Sequence, residues 1–263
     1  MSGHLDVIGS VAVAIVVLMV LIWLVSLPLR DASIVDIGWG AGLVVATWVA
    51  WLVGDGNPDR SNLIAAMVTI WGLRLTVHLA IRHRGRGEDI RYAVLRQHRT
   101  NFAMTSLFTV FGFQAIAMFL ISLPVQLAMT PATPQIGVIG VIGCIVWGVG
   151  FFFEVVADTQ LWRFRADATN DGAVLDQGLW KYSRHPNYFG DALIWWGVWL
   201  VAAETGDAAW AFGAPALMTF MLLRVTGVPP LEHGLAKRRD GYAAYVSRTS
   251  TFIPRPPKVE IDA

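Results

Sequence analysis

The sequence predicts an all-α integral membrane protein with seven transmembrane helices, its N-terminus outside and its C-terminus cytoplasmic. Three observations carry that expectation. Of 263 residues, 55% are hydrophobic and only 15% charged, against about 25% charged in ordinary soluble domains. Twelve Trp and thirteen Phe add more apolar surface than a water-soluble core of this length could hide. The third is the distribution of Lys and Arg, which fall almost entirely in alternate loops.

A spanning helix needs roughly 20 mostly apolar residues. Seven stretches meet that need, near 7–27, 33–53, 62–81, 103–129, 135–156, 188–203 and 208–226. The sixth is short and is expected to begin a few residues earlier, inside a polar loop. No repeat or low-complexity linker interrupts the chain, so 1–263 reads as a single domain. The segment before the first span has no Lys or Arg, which argues against a cleaved signal peptide.

Orientation follows from the basic residues. Arg82, Arg84, Arg86, Arg91, Arg96 and Arg99 lie between the third and fourth spans. Arg163, Arg165, Lys181 and Arg184 lie between the fifth and sixth. Arg30 sits in the first loop, and the tail holds Lys237, Arg238, Arg239, Arg248, Arg255 and Lys258. Seventeen of twenty cations thus share one face; Arg60 alone is opposite, and Arg74 and Arg224 fall within spans. The net charge of +1 points to no nucleic-acid partner, and topology already explains the arginine-rich loop.

Ionisable groups within a bilayer are expensive and usually line a cavity or pair. Asp36, Glu154, Asp158, Asp191 and Arg224 all fall within about two turns of the cytoplasmic face, and Arg74 roughly 10 Å in. Snorkelling to the interface would explain any one of them. Asp and Glu are too short to snorkel well, so four acids on one side predict a polar pocket open to the cytoplasm. The outer halves are expected to hold none.

Asp158, Trp162 and Arg165 recur at i, i+4 and i+7, one helical face. There an Asp could accept from a sugar or amide and an Arg could bind phosphate, although a juxtamembrane ion pair is as common an outcome. Downstream runs Gly178-Leu-Trp-Lys-Tyr-Ser-Arg-His-Pro-Asn-Tyr-Phe-Gly-Asp191, dense in donors and acceptors. Pro186 suits the first turn of a helix. Its free amides, beside Arg184 and His185, would form an anion site. No Gly-rich phosphate loop is present, no His pair is spaced for a metal, and Cys144 is a single apolar-run cysteine.

The run Tyr182-Ser-Arg-His-Pro-Asn-Tyr-Phe-Gly-Asp191, with Asp158 to Arg165 upstream, resembles the C-terminal signature of the steroid 5-alpha-reductase family. The likeness is greatest to its bacterial branch of uncharacterised members. Ser33-Ile-Val-Asp-Ile-Gly-Trp39 resembles that branch too, as do Trp71-Gly-Leu-Arg-Leu75 and Arg84-Gly-Arg-Gly-Glu-Asp-Ile-Arg-Tyr92. So does Glu232 with Lys237-Arg-Arg, Tyr242, Tyr245 and Phe252-Ile-Pro254, extending the resemblance from about 30 to 258. The Arg-His-Pro-Asn-Tyr core alone is shared with sterol C14 reductases and isoprenylcysteine methyltransferases.

The resemblance implies a seven-helix fold in the bacterial inner membrane, holding NADPH in a cytoplasm-facing cavity while a lipid enone enters from the bilayer. Carried over, Asp158, Arg165, Asn187 and Asp191 match dinucleotide contacts, and Arg86 and Arg224 match phosphate-binding arginines. Tyr182 and Tyr188 stand beside them. The animal steroid enzymes carry a Gln-Glu pair on the second helix and a Tyr on the third. This chain offers Asp36 and Trp39 on the second and Arg74 on the third, so a steroid substrate does not follow. Trp39 and Arg74 are then the substrate-side candidates. A protonated Asp36 could donate to the substrate carbonyl, as could Tyr92 if its loop folds over the cavity. Two other classes compete: an S-adenosylmethionine-dependent membrane methyltransferase, and a non-enzymatic carrier, which would need polar groups near the midplane.

Overall fold

The computed structural model describes residues 3–132, 135–236 and 241–258; Lys237, Arg238 and Arg239 of the tail motif lie outside them. Every regular element among the described residues is helical. The first three helices are α1 (His4–Leu29), α2 (Ile34–Val53) and α3 (Pro58–His83), followed by a short α4 (Ile90–Gln97). Next come α5 (Phe102–Ile121), with a π-helical turn over Leu107–Gly112, and α6 (Leu123–Ala128). The remainder is α7 (Val138–Ala166), α8 (Pro186–Ala203), α9 (Gly213–Phe220), α10 (Val228–Ala236) and α11 (Tyr242–Arg248).

Six helical stretches are long and apolar enough to cross a membrane: α1, α2, α3, α5, α7 and the run Ala209–Gly234. That is the composition of a multi-pass membrane protein, and it accounts for exposed faces such as Val13, Val16, Val20 and Leu24 on α1. The expected sixth span is α8, 18 residues that begin at Pro186 and carry Asn187 and Asp191 in their first two turns. It is not among the six. The expected fourth span divides where Ser122 closes α5 and Pro124 opens α6.

The chain forms two compact units. One comprises 1–141 and 198–214, the other 142–197 and 215–263. In the first, α2 packs on both α1 and α3. The α2–α3 crossing is close because both partners are glycine there. A Cβ on Gly40 would stand 2.4 Å from the Gly72 carbonyl oxygen, and one on Gly72 2.7 Å from that of Gly40. In the second unit Gly150 and Gly190 do the same for α7 and α8, each Cβ position 2.5–2.6 Å from the other's carbonyl oxygen. Small residues at such contacts let backbones approach where apolar burial supplies no drive between helices.

One expectation about ionisable groups is overturned at the far end of α3. Arg60, read as a loop cation, lies in the first turn of the helix with 1% of its surface exposed. Asn57 caps that turn, accepting from the amides of Asp59 and Arg60, and Pro58 fills the first position. The guanidinium donates to the Gln135 carbonyl at 2.6 Å and to Glu204 at 3.1 Å. Glu204 in turn accepts from the amides of Gly137 and Gly140, capping the start of α7. Burial works to raise the Glu204 carboxyl, but those amides and Arg60 hold it below its ordinary value.

Candidate functional site

In the first unit the polar residues gather where α1 ends and α2 begins. Arg30 closes α1 in the left-handed region, with φ of 51°, so the chain reverses through Asp31, Ala32 and Ser33. The loop after α3 is stitched to that reversal. Glu88 accepts from the Ala32 amide at 2.8 Å and pairs with Arg96, while Ser33 Oγ accepts from the Asp89 amide at 2.9 Å. His83 pairs with Asp31 at 2.7 Å, and Ser33 also donates to Asp31. Asp89 caps α4. These bonds bring α4 over the first turn of α2.

There Tyr92 donates to Asp36 Oδ1 at 2.7 Å, and Arg91 donates to Asp36 Oδ2 at 2.6 Å. Gln114 of α5 donates to the Tyr92 oxygen at 3.2 Å. The structure thus brings together Asp36 and Tyr92, which stand 56 residues apart in sequence. Both oxygens of Asp36 are thereby engaged, one by the phenol and one by the guanidinium. Burial, and then the negative charge of Asp36, push the Tyr92 hydroxyl well above its ordinary range. Burial opposes the charge on Arg91, yet Asp89 and Asp36 raise its basicity further. Asp89 shows the converse: burial would raise it, and the bonds from Arg91 hold it low.

Gln114 and Arg91 were not among the candidates read from the sequence. Gln114 had a visible signal, a lone carboxamide in an apolar stretch, and it follows the π-helical turn of α5 by two residues. Such turns re-aim side chains and are frequent at functional sites. Trp39 and Arg74 are half-buried in α2 and α3, and Arg86 is exposed on the loop before α4.

In the second unit, Asp158 on α7 and Asn187 on α8 face each other across the Gly150–Gly190 crossing, with the Asn187 amide donating at 3.0 Å. Glu154, Asp158 and Asp191 are all buried. Asn187 Oδ1 is buried with no hydrogen-bond partner among the described residues. The expected face of Asp158, Trp162 and Arg165 runs from the interior outward: Asp158 is buried, whereas Trp162 is 61% exposed and Arg165 exposed. Arg224 is exposed on a second π-helical turn, Met221–Val225.

The dense run before α8 serves the fold more than its sequence suggested. Arg184 directs all five N–H bonds at protein acceptors: two at Glu232, two at the Val246 and Thr249 carbonyls, and one at Thr251. His185 meets Glu232 at 3.0 Å and stacks on Tyr188 with ring centroids 5.4 Å apart. Ser183 donates to the Phe252 carbonyl, and the Arg255 amide to that of Tyr182. Tyr245 donates to the Trp180 carbonyl at 2.6 Å. Its hydroxyl is raised by burial and then by Tyr242, whose own is pushed up to about 12 by burial and Glu232. Tyr182 is exposed. Arg184 is the hub of this network: it joins the run both to Glu232 of α10 and to the tail at Val246, Thr249 and Thr251.

Both clusters fall inside a family match. Residues 22–249 match the family described as Protein of unknown function (DUF1295). The chain belongs to that family. Within DUF1295, the match begins inside α1 and ends at Thr249, so it takes in Asp36, Tyr92 and Gln114 together with Asp158, Asn187 and Glu232. An uncharacterized protein of Schizosaccharomyces pombe, C594.04c, is 24% identical over 89% of this chain and 76% of its own length. No solved structure matches the chain.

Proposed function

We propose that this DUF1295 chain is an NADPH-dependent reductase of a carbon–carbon double bond conjugated to a carbonyl in a membrane lipid. The observation that carries the reading is the Tyr92 hydroxyl, buried, protonated and held between Asp36 and Gln114. The resemblance of the 158–165 and 182–191 stretches to the steroid 5-alpha-reductase family supplies the class of reaction. Seven spans with the N-terminus outside and the tail in the cytoplasm belong to the same proposal, with α8 as the additional span.

The second unit suits a dinucleotide by an observation of its own. Asn187 Oδ1, a buried acceptor lacking a donor, would take an N–H or O–H from an amide or ribose, and Asp158 beside it would accept another. Asp191 shares that role, and Arg165 and Arg224 are the phosphate candidates of the same unit, whereas Arg86, a candidate by the resemblance, belongs to the first unit. Arg184 and His185 act instead as the scaffold that sets α8, because their bonds go to Glu232 and the tail. Bound NADPH would supply the hydride for the β-carbon of the enone, ending as NADP⁺.

On the substrate side, Tyr92 would donate to the carbonyl oxygen and stabilise the enolate charge that develops there. Asp36 and Gln114 orient the phenol, and Arg91 balances the charge of Asp36. One proton taken up at the α-carbon completes the saturated ketone. Asp36 therefore supports the donor rather than being it, in contrast to the protonated-carboxyl role expected from sequence. The hydrocarbon of the substrate is assigned to an open apolar groove of about 330 Å³ in the same unit as Tyr92, walled by Leu21, Ile22, Ile37, Gly38 and Ala41. Trp39 lies on α2 with Ile37, Gly38 and Ala41 of that wall, and Arg74 lies on α3 with Thr76.

Titration of the purified protein with NADPH, NADH and S-adenosylmethionine, followed by tryptophan fluorescence, tests the reading. Saturable NADPH binding that weakens at least tenfold in Asn187→Leu is expected. Binding of S-adenosylmethionine alone would overturn the proposal in favour of methyl transfer.

A further inference from the structure

Helix α4 has two working faces. Its inner face presents Arg91 and Tyr92 to Asp36. Its outer face presents Ile90, 71% exposed, and Val94, 44% exposed, at i and i+4. A short helix outside the spans with two apolar side chains turned outward is out of place in water. It is at home in the headgroup region of a bilayer, where amphipathic helices bury one face by several ångströms.

The charges around it specify which headgroups. Arg82 and Arg84 precede α4 and Arg99 follows it; all three are exposed and none forms a direct ion pair among the described residues, Arg82 acting on Asp89 only through space. The acids of this loop are already engaged, Glu88 by Arg96, Asp89 by Arg91, and Asp31 by His83. The segment 82–99 therefore carries surplus positive charge immediately where α3 ends and α5 begins, at one membrane face whichever way the chain is inserted. Each such cation attracts an anionic leaflet by about 1 kcal/mol.

We infer that α4 with Arg82, Arg84 and Arg99 forms an interfacial site for anionic phospholipid headgroups, and that lipid bound there steadies the helix that holds Tyr92 against Asp36. Occupying the outer face fixes α4, and α4 is the element on which Tyr92 depends. The site does not rest on the reductase reading, because Arg86, assigned above to the cofactor, takes no part in it.

Amide hydrogen exchange across residues 90–97 reads the site directly, with the full chain in nanodiscs of phosphatidylcholine alone or mixed with phosphatidylglycerol. Exchange about fivefold slower with phosphatidylglycerol is expected, the equivalent of one cation's attraction, and raised salt should erase the difference. The variant Arg82→Gln/Arg84→Gln/Arg99→Gln should lose the lipid response while keeping the parent's melting temperature and NADPH affinity. Ile90→Ser, which keeps every charge, should weaken the response partially. Equal exchange in the two lipids would overturn the inference, as would an undiminished response in the triple variant. If inorganic phosphate slows exchange as strongly in pure phosphatidylcholine, the site serves a soluble anion and the lipid assignment falls.

Discussion

A phenol clasped by a carboxylate and a carboxamide keeps its proton where an ordinary tyrosine would begin to lose it. For Tyr92 the direction is upward, from burial and from Asp36. The donor form should therefore persist as pH rises past the ordinary value near 10. Difference absorbance of tyrosinate, wild type against Tyr92→Phe, checks this: no residue titrating near 10 should vanish in the variant. Tyr92→Phe should lower turnover by about 10²–10³, the usual loss for one donor to a developing oxyanion, while NADPH affinity holds. Asp36→Asn should lower turnover less than Tyr92→Phe, because the phenol survives. A larger loss in Asp36→Asn would return the donor role to the carboxyl group.

Elements meet here through glycines and through ion pairs, Arg60–Glu204 among them. At Gly40 and Gly190 the nearest atom that a side chain would strike is a carbonyl oxygen of the facing backbone, which cannot rotate away. Gly40→Leu and Gly190→Leu should each destabilise by about 1–3 kcal/mol, the range for overpacked contacts, read as a lowered melting temperature in detergent. Gly190→Leu should also impair NADPH binding, since the Asp158–Asn187 contact flanks that crossing. Arg60→Ala takes its cation from a part-buried Glu204 but leaves its two amide donors, so a loss of about 1.5–3 kcal/mol, the range for a hydrogen bond to a charged group, is expected. The pH dependence has a definite sign. Glu204 is held below its ordinary value, so its contribution is complete above about pH 4.3 and is lost as pH falls through the lowered value. The melting-temperature gap between wild type and Glu204→Gln should therefore close in acid.

At the scale of the whole molecule, the proposed seven spans set the two termini on opposite sides of the membrane. Tags at each end, tested for protease access in sealed vesicles, should be cleaved from different faces; cleavage of both from one face would leave α8 as a helix that does not cross. Membrane class, six of the expected helices and most of their bounds were legible because long apolar runs read the same in any tertiary setting. The sequence also singled out Asp36, Tyr92, Asp158 and Asn187 as candidates. It hid their pairing, which depends on contacts between residues 29 to 56 positions apart. Arg184 was misleading for a related reason: a cation at a helix start looks like an anion site until its acceptors, all from residues 232–251, are seen.

Composition and long apolar runs by themselves determined that this chain is helical and built for a bilayer, since those properties are sums over local residues. Tertiary structure decided which polar groups are donors, which are staples and which glycines are contacts. Hydrogen bonds and backbone approach act over about 3 Å, a distance at which sequence separation carries no information.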